Sequence, residues 1–135
     1  MKILGLNRVE LLLPADEIEA AVAKLNDAFG FQLAPPHRVA GQPVLSTVDF
    51  AAGIELIAPG GEGSPLAARL AEKGRGGIGP IVWEVDDLDA ARDHLLRKGY
   101  RIYYEFEGEG VRQICLDPDE FFGYVITFMQ RLQKA

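Results

Sequence analysis

The chain states nearly the same pattern twice. Residues 8–33, RVELLLPADEIEAAVAKLNDAFGFQL, are echoed by residues 80–103, PIVWEVDDLDAARDHLLRKGYRIY. In each copy an apolar-alternating run meets acidic residues and a helix-patterned stretch follows. A glycine with an aromatic after it, Gly30-Phe31 and Gly99-Tyr100, then opens a new apolar run. Ile18, Ala20, Ala21 and Leu25 of the first copy return as Leu88, Ala90, Ala91 and Leu95. Such self-similarity in 135 residues means two copies of one supersecondary unit. Paired modules also imply a groove between them in which a small ligand binds.

The length suits one domain, 1–135, with a real core, and 48% apolar residues fit a globular chain. A net charge of −6 with no basic stripe excludes nucleic acid as a partner and disfavours an anionic membrane. In MKILGLNRVE charge returns at Arg8, so the segment reads as neither signal peptide nor membrane span. The single cysteine, Cys115, excludes an intrachain disulfide. In the apolar run VRQICLD it reads as a buried, inert thiol rather than a nucleophile. A cytoplasmic location is expected.

Alternation of Val9, Leu11 and Leu13 with Arg8, Glu10 and Leu12 predicts a strand with one face against a helix. Asp16 is the candidate N-cap of that helix. Ile18, Ala21, Val22, Leu25 and Phe29 make its apolar stripe, and Gly30 closes it. Strands are predicted over 31–35, 43–50 and 53–58, completing a first module over 1–58. A crossover at 59–79 carries a short helix around 65–73. Its GRGGIG stretch is a hinge, because no phosphate-binding pattern sits there between a strand and a helix. The second module, 80–135, reads as strand 80–86, helix 87–98, and strands 101–106, 111–117 and 122–130. Each module is thus β-α-β-β-β, an α+β design.

The echo resembles the vicinal oxygen chelate (VOC) superfamily, in its glyoxalase I and methylmalonyl-CoA epimerase branch. So do IELIAP at 54–59, SPLAARLAEKG, PIVWEVDDLDAA and the strand following DPDEFFG. The resemblance implies two βαβββ modules paired into an open eight-stranded cup, with a divalent metal inside. It also implies a carbonyl substrate bound through oxygen while a glutamate moves a proton. The positions matching the family's metal ligands mostly lack them. The first ligand, a histidine, falls on Arg8, or on Asn7 if the strand slips by one residue. The second matches Glu55, the third falls on Pro80 and the fourth on Thr127. An arginine cannot ligate, being always protonated, and proline has no donor atom. No cofactor is therefore expected, and a metal held by Glu55 with other residues is the alternative.

In place of a metal, Arg8 could present its fork of donors to a substrate oxygen. Equally, Arg8 and Glu55 could neutralise each other as a vestigial pair. Glu10 and Glu84 fall on the same alternating faces as Arg8 and Pro80. They are read either as proton-moving acids inside the cup or as surface charges at the strand ends. Tyr103, Thr127, Arg112, Asn7 and His37 are the candidate substrate contacts. Tyr103 is placed on the cup wall, Arg112 at the rim for an anionic tail, and His37 in a loop after Pro35-Pro36. The bland alternatives are strand-forming tyrosine, solubilising arginine and exposed histidine. Trp83 and Cys115 are expected in the core and His94 on the surface. Phe121-Phe122 is read as core, subunit contact or lid.

Three functions compete. The first is a metal-independent isomerase, epimerase or lyase that moves a proton next to a carbonyl. Glu55 would be its base, Arg8 would hold the oxyanion, and Glu10 or Glu84 would help. The second is a non-catalytic small-molecule sequestering protein of the bleomycin-resistance type. The third is a metal-dependent glyoxalase-like lyase. A homodimer is expected, because exposed sheet edges are usually covered.

Overall fold

The computed structural model describes residues 1–73 and 77–132. In chain order the elements are β1 (Ile3–Leu12), α1 (Ile18–Phe29), β2 (His37–Arg38), β3 (Val44–Asp49), β4 (Ile54–Pro59), α2 (Pro65–Lys73) and β5 (Ile78–Val85). There follow α3 (Leu88–Arg97), β6 (Ile102–Gly108), β7 (Val111–Leu116), a 3-10 turn (Pro118–Glu120) and β8 (Ile126–Arg131). No helix among the described residues is long and apolar enough to cross a membrane. The chain forms two compact units. The first is Arg8–Gly79, and the second joins residues 1–7 to residues 80 onward.

In the first unit β1 runs parallel to β4, with Val9 opposite Ile54, Glu10 opposite Glu55 and Leu12 opposite Ile57. β3 lies antiparallel to β4, and the two-residue β2 antiparallel to β3. Strand alternation sorts the side chains onto two faces. Leu11, Leu13, Ile54, Leu56, Ala58 and Leu45 pack with Ile18, Ala21, Val22 and Leu25 of α1. Arg8, Glu10 and Leu12 are buried on the opposite face.

The second unit repeats the design. β5 runs parallel to β8, with Ile81 opposite Ile126, Val82 opposite Thr127 and Glu84 opposite Met129. β7 is antiparallel to β8, and β6 to β7. Leu88, Ala91 and Leu95 of α3 pack against Val85, Ile114, Leu116 and Phe128, with Trp83 partly buried beside them. Cys115 is buried and His94 exposed, as the sequence leads one to expect. Asp87 caps α3 by accepting a 3.0 Å hydrogen bond from the Ala90 backbone N–H.

Three sequence expectations need correction. Residues 31–35 are not a strand, because other partners hold their backbone. The Asn26 side chain donates to the Leu33 carbonyl and accepts from the Leu33 N–H, each at 3.0 Å. Asp49 accepts from the Gln32 N–H, and the Thr47 hydroxyl donates to the Ala34 carbonyl. Pro35-Pro36 then removes two donors, so pairing begins only at His37, which lies in β2 rather than in a loop. Asp16 does not cap α1. A turn from the Pro14 carbonyl to the Glu17 N–H delivers the chain one residue later, and Glu17 occupies the cap position without a side-chain capping bond to the helix. The last strand starts at Ile126, not at 122, because Phe122 (φ 61°) and Gly123 (φ 88°) turn the backbone left-handed just before it. Phe121 packs on the second core, and Phe122 is 95% exposed.

Candidate functional site

β1 brings Arg8 and Glu10 to one face because they stand two residues apart, and the parallel register sets Glu55 of β4 beside Glu10. This settles the registry of the strand: Arg8, not Asn7, shares the buried face with Glu10. The Arg8 Nε donates to Glu55 Oε1 at 2.5 Å, and its Nη2 to Glu10 Oε2 at 3.3 Å. On the far side of Glu55, the Ser46 hydroxyl donates to Oε2 at 2.6 Å. The guanidinium carbon lies 5.7 Å from the Phe50 ring centroid, within cation–π range. Arg8 is only 5% exposed and Glu10 6%.

Burial of Arg8 and Glu10, with Glu55 half-buried beside them, changes what these groups do. Loss of solvent pushes the Glu10 carboxyl well above the ordinary carboxylate value. Repulsion from Glu55 adds to the rise, and the Arg8 charge partly offsets it. A carboxyl whose pKa is raised in this way holds a proton more readily than a solvated one. Arg8 meanwhile is fixed by carboxylates on two strands, so its charge needs no reorganisation when a partner oxygen gains charge.

The remaining candidates lie elsewhere. His37 stands opposite Ser46 across the β2–β3 pair, exposed at the end of the Glu55 face. Asn7 is half-buried on the alternate side of β1. In the second unit Thr127 is fully buried and its hydroxyl donates to the Cys115 sulfur at 3.3 Å. Glu84 is engaged by Arg131 at 3.3 Å. Tyr103 is exposed at a register shift between Ile102 and Tyr104, and it is Tyr104 that stands opposite Cys115. Arg112 stands at a groove and is already paired there. Asp89 of α3 holds it at 2.9 Å and Glu107 at 3.5 Å, beside a groove of about 360 Å³ lined also by Leu88, Phe106 and Gln113.

Of the candidates, then, the structure gathers Arg8, Glu10 and Glu55, and adds Ser46 and Phe50, which the sequence reading missed. Ser46 carried a usable signal. It is a hydroxyl on the alternating run Val44, Ser46, Val48, and an isolated polar side chain on such a face calls for a partner. Phe50 follows the strand at a turn, and no pattern announces its ring beside Arg8.

Residues 9–116 match the Glyoxalase/Bleomycin resistance protein/Dioxygenase superfamily. The ethylmalonyl-CoA/methylmalonyl-CoA epimerase of Cereibacter sphaeroides is 35% identical over 133 residues, spanning 93% of this chain and 96% of that protein. The crystal structure of methylmalonyl-CoA epimerase from Mycobacterium tuberculosis superposes with a TM-score of 0.84 at 24% identity, covering 97% of this chain and 90% of that one. A variant of the Streptomyces coelicolor methylmalonyl-CoA epimerase in complex with 2-nitronate-propionyl-CoA gives 0.82 at 20% identity, covering 98% and 100%. These solved structures share the α+β fold of two βαβββ modules that the repeat foretells.

Proposed function

The chain belongs to the Glyoxalase/Bleomycin resistance protein/Dioxygenase superfamily, and from that premise we propose that it is an epimerase acting on the carbon beside the thioester carbonyl of a CoA ester. The observation that carries this reading is the 35% identity to the C. sphaeroides epimerase along nearly the whole of both chains. Glu10 takes the proton from the carbon next to the carbonyl, the C–H electron pair forms a C=C bond to the carbonyl carbon, and the C=O π pair moves onto the oxygen. Arg8 gathers the charge on that oxygen. Glu10 gives its proton to solvent, a water proton is delivered to the opposite face of the carbon as the carbonyl re-forms, and the centre is inverted with no other bond changed. Glu55 acts as a positioning residue, fixing Arg8 and held in turn by Ser46. This exchanges the roles first given to the two glutamates, because Glu10 is the one whose environment favours proton traffic.

A divalent ion of the kind the family resemblance implies does not fit this donor set. The guanidinium of Arg8 bonds to both carboxylates, so a dication there would meet a fixed positive charge. Among the described residues no three His, Cys, Asp or Glu side chains converge as ligands. On this reading the proton transfer runs on the protein's own groups.

The test is deuterium incorporation at carbon 2 of a panel of 2-alkyl acyl-CoA esters, in deuterated water with a chelator present. Exchange that disappears in Glu10→Gln supports the reading. Binding without exchange overturns it in favour of the sequestering alternative, and exchange that requires added metal overturns the cofactor-free part. The proposal extends to a homodimer. Ile3, Leu4 and Leu6 are exposed along β1, and residues 1–8 carry no acidic side chain in a chain of net charge −6. Equilibrium sedimentation should give a dimer that Leu4→Glu converts to monomer; a monomeric native protein overturns it.

A further inference from the structure

We infer that Phe50 is a substrate contact that sets how large a group on carbon 2 this protein accepts. The inference rests on the proton-transfer reading above and narrows it. Arg8 and Glu10 are both buried, so a thioester whose carbonyl oxygen meets the guanidinium must pass what covers it. Two edges of that guanidinium are taken, Nε by Glu55 and Nη2 by Glu10. Its carbon lies over the Phe50 ring, 5.7 Å from the centroid. The ring is itself 45% exposed, so it borders the buried cation and solvent at once. A ligand that reaches Arg8 from solvent on this side meets the ring.

The backbone fixes where the ring stands. Phe50 follows β3 in a turn that Gly53 closes at φ 73°. The Gly53 N–H donates to the Asp49 carbonyl at 3.0 Å, and the Asp49 carboxylate accepts from the N–H groups of Ala52 and Gln32. The Gly53 carbonyl accepts from the Val9 N–H at 3.0 Å, which ties the turn to the residue after Arg8. The turn and the cation therefore keep their separation, and the ring moves by its own torsions. Its contact with Arg8 is weaker than the charge-assisted bonds that hold the guanidinium, so an arriving acyl group shifts the ring and not the cation. The substituent on carbon 2 begins two bonds from the carbonyl carbon whose oxygen Arg8 receives, and it packs against this ring. A short alkyl group finds apolar contact there. A long one is crowded by a side chain whose backbone cannot retreat.

The probes are methylmalonyl-CoA and butylmalonyl-CoA. Deuterium exchange at carbon 2 gives kcat/KM for each with the full native chain, Phe50→Ala and Phe50→Trp. The native preference for the methyl compound should fall at least about tenfold in Phe50→Ala, a change of about 1.4 kcal/mol in transition-state discrimination, and should rise in Phe50→Trp. Each variant is read as a ratio of two substrates, so a general loss of activity does not imitate the effect. A second readout needs no turnover. Labelling of Arg8 by phenylglyoxal, mapped by mass spectrometry, should be several-fold faster in Phe50→Ala than in the native chain. A ratio unmoved by Phe50→Ala overturns this inference and leaves the epimerase reading standing, and equal labelling of Arg8 does the same. Should Phe50→Ala fail to fold, the Phe50→Trp ratio decides, and a ratio unmoved or lowered there overturns the inference. Exchange with neither thioester in the native chain overturns the epimerase reading itself, and this inference with it.

Discussion

The two modules are built to one register and differ at the positions that matter chemically. Glu10 faces Glu55 between β1 and β4, and in the second unit Val82 faces Thr127 between β5 and β8. In both, the helix-side face of the sheet is a continuous apolar set: Leu11, Leu56 and Ala58 under α1, and Val85, Ile114 and Phe128 under α3. The fold is therefore specified by the faces the copies share. The opposite faces were left to diverge, one into a buried cluster of charges and the other into a neutral pair closed by the Thr127–Cys115 contact. A repeat thus tells where chemistry can be placed before it tells what the chemistry is.

The sharpest way to break this comparison is to remove the Arg8 cation from the charged cluster. Arg8→Met leaves Glu10 and Glu55 buried without compensation, and breaking a buried pair from one side costs about 3–5 kcal/mol. Urea denaturation at neutral pH should show that loss, and carbon-2 exchange should vanish in the folded fraction. A loss under about 1 kcal/mol would mean that the cluster is solvated and not the buried triad described above. The complementary change rewrites the first module in the image of the second. Arg8→Met with Glu10→Val and Glu55→Thr removes all three charges together, which is often neutral or stabilising by about 1–4 kcal/mol. The triple variant should fold at least as well as the native chain and catalyse nothing. A collapse in stability would show that the charges specify the fold as well as the chemistry.

The sequence made the shared faces legible and the divergent ones only partly so. The stripe from Ile18 to Leu25 and its echo from Leu88 to Leu95 rest on hydrophobic periodicity, a signal that survives without knowledge of partners. Arg8, Glu10 and Glu55 were identifiable because they interrupt apolar runs, yet their bonding depended on a parallel register that no local pattern encodes. Residues 31–35 were misread for a related reason. They have strand-like composition, but the Asn26 side chain takes the place of a neighbouring strand at Leu33. The pairing of Arg112 was not legible because solvated cations look alike in sequence, whether or not Asp89 and Glu107 lie beside them.

A titration sharpens the contrast further. The Glu10 carboxyl is pushed upward by burial, so the folded state holds its proton more tightly than the unfolded chain does. Its contribution to stability is then fully present below the unfolded value, near 4.3, and is lost as pH rises through the folded value. The native protein should lose stability relative to Glu10→Gln between acid and neutral pH, measured by denaturant midpoints across that range. A difference that is flat or of opposite slope would mean that Glu10 is ionised and satisfied by Arg8 throughout. Val82, its counterpart in the second module, offers no titratable group, so Val82→Ala should shift stability equally at every pH.

The smallest expected effect tests the neutral side. Thr127 occupies the position equivalent to Glu55, fully buried, with its hydroxyl on the Cys115 sulfur. Sulfur is a weak acceptor, so Thr127→Val exchanges one poor hydrogen bond for a methyl group of similar size. The cost should be about 1 kcal/mol or less, since a buried hydroxyl and its weak partner are removed in favour of apolar contact. Carbon-2 exchange should persist, because in the proposed mechanism the proton passes through Glu10 and the charge through Arg8. If Thr127→Val instead abolished exchange while leaving the denaturant midpoint in place, the neutral pair would belong to the chemistry. The second module's inner face would then have kept a catalytic part without charges at the Val82 and Thr127 positions, and the division of labour between the two copies would have to be redrawn.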